Sequence, residues 1–286
     1  MMKHRRTKSA TAFQAVLAVT FLVLCPPLHA QSVSPEPAYG LSGRIGLNVV
    51  TMPTYEGSPN TRKLAGPDLT LSYRSRDWGS VEFGQRGLIW TAVEAGRFRF
   101  ALVAQFDAGR KDRTTSTLNP TPGDKRLAGM GSVQSSTEAG VGVGYGWVMV
   151  VARQSLSERG AKGAQVDLSV GMPWSVSDRL GLRFALGATW ADRDYMQTYF
   201  GVTAAQAQAT SFSVYTPKSG LRKFEVSVGG EYALAPRWKL QAHLAISRLG
   251  NVAAKSPLVG RQEAEGNSDP DRRFGGFAAL GVAHEF

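Results

Sequence analysis

The chain has 286 residues, with 33 Lys and Arg against 22 Asp and Glu, 43% hydrophobic residues, 32 Gly and a single Cys. These ordinary charged and apolar fractions exclude a disordered chain, and the lone Cys excludes a disulfide scaffold and a Cys-rich zinc module. Two of the four His lie within the first 30 residues, which leaves little for a His-built metal centre. No cofactor or metal is predicted.

Residues 1–30 have the pattern of a secretory signal peptide. A basic start that includes Arg5 and Arg6 is followed by the apolar stretch 11–24, which is too short to cross a bilayer as a helix, and cleavage is expected after Ala30. A lipoprotein modified at Cys25 is the alternative, but the bulky Leu24 disfavours it. The mature domain, 31–286, then has 29 basic and 22 acidic side chains, a net charge of +7.

The mature chain repeats with a period of two residues, and no stretch shows a convincing helical period. Leu180, Leu182, Phe184 and Leu186 alternate with Gly181, Arg183 and Gly187. The same alternation recurs in residues 41–49, 98–107, 138–147, 165–172, 223–234 and 238–247. This pattern predicts an all-β protein.

Strand length favours a transmembrane β-barrel over a soluble sandwich. Several segments run ten residues or more, near the roughly 9–11 residues that a tilted strand needs to cross a bilayer. Their polar face is rich in Gly, Ser and charged residues, and Trp90, Trp147, Trp174, Trp190 and Trp238 lie near segment ends, where an interfacial girdle would place them. In lipid such a sheet must close on itself. The final alternating segment ends at Phe286, which we expect the barrel assembly machinery to recognise.

The turns predict a closed antiparallel barrel of about twelve strands, with eight or ten as alternatives. The predicted strands are 41–51, 66–74, 79–86, 87–94, 97–108, 137–146, 147–157, 163–173, 180–191, 222–235, 237–248 and 273–286. The joins at 86–87 and 146–147 decide the count. With twelve strands and periplasmic termini, the four long links 52–65, 109–136, 192–221 and 249–272 all fall on the outer side.

Several short motifs in this order resemble the MipA/OmpV family, whose first member is the MltA-interacting protein. The motifs are PTYEGS at 53–58, GP at 66–67, GR at 109–110, LAGMG at 127–131, YFGV at 199–202 and SPLV at 256–259, followed by the terminal Phe286. Each motif alone is weak, but their order and spacing together are specific. The resemblance covers essentially the whole mature chain.

The resemblance implies a Gram-negative outer-membrane barrel exported through its signal peptide. The founding member is described as a scaffold that brings a periplasmic lytic transglycosylase together with a bifunctional penicillin-binding protein. Other members are linked to adhesion or to osmotic and antibiotic responses. The family supplies no catalytic residues, so it indicates location and fold better than activity.

Charged residues on the polar face form a candidate lumen network. Its members are Arg44, Arg97, Arg99, Glu138, Asp167, Arg183, Lys223, Glu225 and Glu231. Ion pairs that fill or narrow the barrel are the first interpretation, and a charged constriction that selects solutes is the second.

A basic outer rim is a candidate site for lipopolysaccharide phosphates. It comprises Arg110, Lys111, Arg113, Lys125 and Arg126, with Arg62 and Lys63 in the preceding predicted outer loop. Ordinary solvated loops explain the same residues equally well. No motif supports nucleic-acid binding.

Catalysis is not expected. His243 lies on a polar face, where a His satisfied by polar neighbours is favoured over a general base, and His284 lies on the apolar face of the last strand. The segment 192–194 (DRD) favours a local ion pair over a cation or acid–base site. The glycines between 140 and 146 predict the small face of a strand rather than a phosphate loop.

We therefore expect an outer-membrane scaffold or adaptor for peptidoglycan-remodelling proteins. A channel for small solutes and a surface adhesin acting through the long loops are the alternatives. The short periplasmic turns offer little area for a protein interface, so the adaptor rests mainly on the family resemblance.

Overall fold

A computed structural model describes residues 39–85, 87–113, 123–158, 160–259 and 273–286. The predicted signal peptide, 1–30, lies outside these residues. The twelve strands are β1 (Gly40–Pro53), β2 (Thr61–Arg74), β3 (Ser80–Gly84), β4 (Gly87–Ala95), β5 (Phe98–Asp107), β6 (Ser136–Tyr145), β7 (Val148–Ser155), β8 (Ala164–Ser175), β9 (Leu180–Ala191), β10 (Gly220–Ala235), β11 (Trp238–Leu249) and β12 (Phe274–Glu285). A 3-10 turn (Lys125–Leu127) and three helices, α1 (Arg193–Phe200), α2 (Ala204–Ala209) and α3 (Asn251–Ala254), lie in the links.

Each strand pairs antiparallel with its neighbours in sequence, and β1 pairs with β12, so the sheet is a closed barrel. This confirms the predicted twelve strands, and the alternatives of eight and ten are wrong. The β1–β12 pairing runs from Thr51 opposite Ala278 to Gly43, whose N–H and carbonyl both bond to the backbone of Phe286. Closure at the terminal residue leaves no edge of unpaired backbone groups for lipid to face.

Alternation along the strands separates an apolar outside from a polar inside. Leu41, Leu47, Val226 and Ile246 are between 60 and 71% exposed on the outer surface. The aromatic residues Tyr145, Trp147, Trp174 and Trp238 are also exposed, next to the turns at one end. A surface of this kind is stable only against lipid, because a soluble protein rarely exposes such a continuous apolar area.

The links divide by length between the two ends of the barrel. The links 75–79, 96–97, 146–147, 176–179 and 236–237 are short, and they lie at the end that also carries both chain termini. All four long links lie at the opposite end, as predicted. By the usual arrangement of outer-membrane barrels, the short-turn end is periplasmic and the long-link end is outside.

Two differences from the prediction change where charged residues lie. Strand β2 begins at Thr61 instead of 66, so the first outer loop shrinks to 54–60, and Arg62 and Lys63 belong to the strand. Arg62 points inward and Lys63 outward, because neighbouring residues of a strand face opposite sides. The second difference is that the link 192–219 contains the helices α1 and α2. Each helix is too short to show a helical period in the sequence.

Helix α1 begins at the DRD segment. The Asp192 carboxylate accepts hydrogen bonds from the backbone N–H of Tyr195 at 2.9 Å and of Ala164 at 2.8 Å, so it caps the helix and ties it to β8. Among the described residues Arg193 forms no ion pair with Asp192 or Asp194, and the predicted local ion pair is wrong. No helix in the described ranges is long and apolar enough to cross a membrane.

Candidate functional site

The loop 54–60 is the centre of a structure that covers the outer mouth of the barrel. We call this structure the loop cap; it comprises residues 54–60, 108–113, 123–135, 192–219 and 250–259. All the motifs that carried the family resemblance, apart from residues 66–67 and Phe286, contribute to it. Segments that lie far apart in the sequence therefore meet in one structure.

Asp124 joins the loop 54–60 to the segment 123–135 of the loop cap. Its carboxylate accepts hydrogen bonds from the Thr54 hydroxyl at 2.5 Å, the Ser58 hydroxyl at 2.6 Å and the Asn60 amide at 3.1 Å. The backbone N–H of Arg126 is a fourth donor at 3.0 Å. Burial raises the pKa of Asp124, but these donors lower it more, so the net pKa lies below its ordinary value and the group is held as a carboxylate.

Three further hydrogen bonds to backbone carbonyls join the remaining loops. The Tyr55 hydroxyl donates to the carbonyl of Leu258 at 3.0 Å, and the Ser256 hydroxyl donates to that of Phe200 at 2.6 Å. The Arg110 guanidinium donates to the Tyr199 carbonyl at 2.7 Å. Between these bonds lies an apolar cluster of Tyr55, Leu127, Met130, Val202 and Leu258. The YFGV and SPLV motifs therefore pack into the barrel mouth.

Glu56 anchors the loop cap to the barrel wall. Its carboxylate accepts two hydrogen bonds from Arg222 of β10, Nε to Oε2 at 2.9 Å and Nη2 to Oε1 at 2.6 Å. Arg222 also donates to the Tyr195 hydroxyl at 2.9 Å and to Gln165. Burial raises the pKa of Glu56, but the charge and hydrogen bonds of Arg222 together lower it by more. The net pKa therefore lies below its ordinary value. The pair is therefore ionised at neutral pH.

A β-bulge brings Arg222 into the lumen. The β9–β10 register shifts between Leu221 and Lys223, so Arg222 and Lys223 are both buried although they are neighbours in sequence. Lys223 pairs with Glu225 at 2.7 Å. Without the bulge one of the two cations would face lipid, because side chains of a regular strand alternate between the faces.

A second set of charges lines the lumen wall from β5 to β9. Arg153 binds Glu138 at 3.0 Å and Asp167 at 2.6 Å, and it donates to Gln105 at 2.6 Å. Gln165 donates to Glu138 at 2.9 Å and accepts from Arg222, which joins this wall network to the Glu56 pair. Arg153, Glu138 and Gln165 are at most 4% exposed.

Arg44 links strands on different sides of the lumen near the periplasmic end. Its guanidinium lies 3.2 Å from Asp68 on the neighbouring β2 and 3.4 Å from Glu231 on β10, three strands away around the barrel. The Arg44 side chain is 25% exposed, so water reaches this level from the periplasmic side.

Apolar side chains also occupy the lumen. Val103, Met149 and Val151 face inward and are buried against each other, next to the glycine-rich face of β6. A Cβ on Gly144 would lie 3.1 Å from the Met149 methyl group, so the missing side chain makes room for Met149. The glycines thus form the small face of a strand, as predicted.

Most of the predicted lumen residues point inward, but one does not. Arg44, Arg99, Glu138, Asp167, Arg183, Lys223, Glu225 and Glu231 lie on inward positions of their strands. Arg97 is the correction: it lies in the exposed turn between β4 and β5, outside the lumen, because β5 begins only at Phe98.

The predicted basic rim is divided by the loop cap. Arg110 is 5% exposed and faces the barrel interior, so it is no surface contact for lipopolysaccharide. Lys111 and Arg126 are partly buried, whereas Arg113 and Lys125 are exposed on the outer side. Gly109 causes this burial: its positive φ of 72° turns the chain inward directly after β5.

The two histidines considered as possible catalytic groups pack against aromatic rings. His243 points inward and packs edge-on against Phe277 at 5.6 Å, and its buried Nε2 has no hydrogen-bond partner in the described part of the chain, so the prediction of a His satisfied by polar neighbours is wrong. His284 packs edge-on against Trp238 at 5.1 Å on the outer surface. In the described ranges no cluster of three His, Cys, Asp or Glu side chains could hold a metal ion.

A cavity of about 160 Å³ lies between the loop cap and the lumen wall. It is lined by Glu56, Arg62, Arg110, Tyr199, Arg222 and Phe277, among others. Burial raises the pKa of both Tyr195 and Tyr199 well above its ordinary value, so their phenols stay neutral and can donate hydrogen bonds. Tyr199 donates one to Asp107 at 2.5 Å. We call this cavity the chamber.

The family model for MltA-interacting protein MipA matches residues 45–286, which span most of β1, all of β2 to β12 and every motif of the loop cap. The chain belongs to this family. Membership and the closed twelve-stranded barrel together make it an outer-membrane β-barrel protein. Comparison with curated protein sequences gives no match.

Solved structures similar to this MipA family member are barrels of low sequence identity. The NanC porin is 9% identical, with a TM-score of 0.37 over 86% of this chain and 99% of the porin. The translocator domain of autotransporter NalP from Neisseria meningitidis is 14% identical, with a TM-score of 0.37 over 88% and 90%. A Pseudomonas aeruginosa FadL homologue is 11% identical, with a TM-score of 0.36 over 86% and 90%. At these identities and TM-scores, no ligand or activity of these proteins is assigned to this chain.

Several residues of this MipA-family site carry no local signal in the sequence. Arg222 was missed because the bulge interrupts the two-residue period. Arg153 was missed because it follows the uninterrupted apolar run 147–152, which hides the alternation. Glu56 lies in a recognised motif, but only the fold reveals its partner 166 residues away.

Proposed function

We propose that this protein is a closed adaptor barrel, which binds peptidoglycan-remodelling enzymes at its periplasmic end and has no catalytic activity of its own. The observation that carries the proposal is the interlocked loop cap over a lumen in which Arg153 and Arg222 pair with carboxylates. An adaptor needs a rigid membrane anchor, and it does not need a pore.

The pairing of the lumen charges argues against solute passage as the main role. A channel that selects ions or solutes presents its charges to the water in the pore. Here Arg153 and Arg222 are almost fully buried against carboxylates, and Met149 packs against Val103 and Val151 inside the lumen. Opening such a lumen would break several charge-assisted hydrogen bonds, each of which contributes about 1.5–3 kcal/mol.

The proposed partners follow from the family. Its description names an interaction with MltA, and the resemblance adds a periplasmic lytic transglycosylase and a bifunctional penicillin-binding protein. For a non-catalytic role, the supporting observation is that the inward-facing His243 packs against the ring of Phe277. The adhesin alternative remains a prediction, and none of the described contacts in the loop cap favours it.

The periplasmic turns offer an exposed charge pattern that suits a protein partner. Four of the five turns carry an exposed arginine, Arg76, Arg97, Arg179 and Arg237, and two of them add an exposed aspartate. A ring of guanidiniums attracts an acidic surface and orients it without a large buried area. This electrostatic attraction partly compensates for the small interface area that short turns offer.

The test is crosslinking in intact envelopes followed by identification of the captured periplasmic enzymes. We expect the wild type to capture a lytic transglycosylase, and a variant with all four turn arginines changed to Gln to lose most of this capture. The matched control changes Arg113 and Lys125, which are exposed at the outer end, to Gln. Equal capture by all three proteins, or none by the wild type, would overturn the proposal.

A further inference from the structure

The chamber contains more positive than negative side chains. Five cations line it: Arg62, Arg110, Arg222, Lys223 and Arg273. The described lining residues supply only three carboxylates, those of Glu56, Asp107 and Glu225. An excess of cations in a partly enclosed space attracts anions, because low-dielectric walls strengthen the field.

All three carboxylates already have donors. Glu56 is held by both arms of Arg222, and Glu225 by Lys223 at 2.7 Å. Asp107 accepts the Tyr199 hydroxyl at 2.5 Å and the backbone N–H of Gly109 at 2.7 Å. Glu56 and Glu225 are each paired with a cation, whereas the donors to Asp107 are neutral, so the described lining residues leave five cations against three carboxylates.

Arg62 and Arg110 are the cations without a carboxylate. Neither lies within 4.0 Å of an Asp or Glu oxygen in the described part of the chain, and the buried Nε of each has no hydrogen-bond partner. Arg110 is 5% exposed, and its one side-chain bond goes to the neutral carbonyl of Tyr199. A buried charge with unused donors is costly unless something binds it.

The chamber has room for such a ligand. Its volume of about 160 Å³ is many times the roughly 10–15 Å³ needed for one water on the same measure. Phe277 and Phe200 add apolar walls, so a small organic group can be held beside the guanidiniums. Guanidinium forks bind the two oxygens of a carboxylate or phosphate in a planar, paired geometry.

We infer that the chamber is a binding site for a small oxyanion, a carboxylate or phosphate, held between Arg62 and Arg110. The loop cap shields the site on the outer side, so the ligand reaches it through the lumen or during opening of the cap. Binding neutralises both guanidiniums and ties β2 to the segment 108–113 through the ligand. This inference does not depend on the adaptor role, since it concerns the opposite end of the barrel.

The test is isothermal titration calorimetry of the refolded full-length mature protein in detergent, with inorganic phosphate and with acetate as separate probes. We expect saturable binding of at least one probe by the wild type. Arg62→Gln should weaken it by about tenfold or more, as expected for loss of one charge-assisted contact. The two probes distinguish a phosphate site from a carboxylate site.

Arg113→Gln is the matched control, because it removes an exposed guanidinium from the same outer loop as Arg110. Its dissociation constant should stay within about twofold of wild type. Arg62→Lys retains the charge without the fork, should bind with intermediate affinity, and serves in place of Arg62→Gln if that variant does not refold. No saturable heat for either probe, or equal affinity in the Arg62 and Arg113 variants, would overturn the inference.

Discussion

Arg222 holds the carboxylate of Glu56 with two parallel hydrogen bonds, of 2.9 and 2.6 Å, although the two residues are 166 positions apart in the sequence. The Arg222 side chain is 1% exposed and that of Glu56 is 32% exposed. One partner belongs to the barrel wall and the other to the loop cap. The pair therefore couples closure of the outer mouth to the integrity of the barrel.

Glu56→Gln should destabilise the protein by about 1–3 kcal/mol. The substitution removes the negative charge from a charge-assisted pair and leaves the buried Arg222 with a weaker partner. The partial exposure of Glu56 keeps the expected loss below that of a fully buried pair. Thermal unfolding, followed by the mobility difference between folded and unfolded barrel on gels, measures the change.

Glu94→Gln is the control for Glu56→Gln. Glu94 pairs with Arg74 at 2.9 Å, but both side chains are more than a third exposed at the periplasmic end. An exposed pair contributes less than about 1 kcal/mol. If both variants lost the same stability, the assigned role of the Glu56 pair would be wrong.

Asp124→Asn should be destabilising at neutral pH and have little effect in acid. The folded pKa of Asp124 lies below its ordinary value of 3.8, so its carboxylate stabilises the fold above that value and loses this contribution as pH falls through the folded pKa. We expect a difference of about 1–3 kcal/mol from wild type at neutral pH, shrinking below about pH 4. Unfolding measured across this range checks the prediction, and a difference that grows in acid would contradict it.

Gly57→Ala should loosen the loop cap more than an ordinary glycine replacement. Gly57 has a φ of +89°, and a Cβ there would lie 2.4 Å from a methyl group of Val259. The left-handed backbone costs about 1–2 kcal/mol, and the steric contact adds about 1–3 kcal/mol. Unfolding temperature and protease cleavage of the outer loops report the two effects.

Gly96→Ala separates the backbone effect from the packing effect. Gly96 also has a positive φ, of +58°, but a Cβ there would contact nothing within 4 Å. This variant should lose only about 1–2 kcal/mol and keep its outer loops resistant to protease. Equal loop cleavage in both variants would show that Val259 does not hold the 54–60 loop.

Planar-bilayer recordings should show no steady conductance for the wild type. The loop cap and the paired lumen charges oppose a continuous aqueous path, whereas Glu56→Gln should raise the frequency of brief openings because it weakens the anchor of the cap. Glu94→Gln should behave as wild type. Steady, ion-selective openings of the wild-type protein would favour the channel alternative over the adaptor.

The outward-facing strand residues were predictable because each strand carries its own signal. Alternation at period two separates Leu41, Ile45 and Leu47 from Arg44 without reference to any other part of the chain, and the same holds for most strands. The closure of β1 on β12 followed from a physical requirement, since an open edge cannot exist in lipid.

Only the tertiary structure decided which residues are brought together across long sequence separations or by irregular backbone. Arg110 looked like a surface cation until the turn at Gly109 directed it inward, and Arg97 looked like a lumen residue until the strand began one position later. Arg222 faces the lumen because of a β-bulge, and no residue type in the sequence predicts a bulge at this position. The sequence by itself determined the barrel because strand periodicity is local, whereas the loop cap and the chamber depend on pairings such as Glu56 with Arg222, which exist only once the barrel has closed.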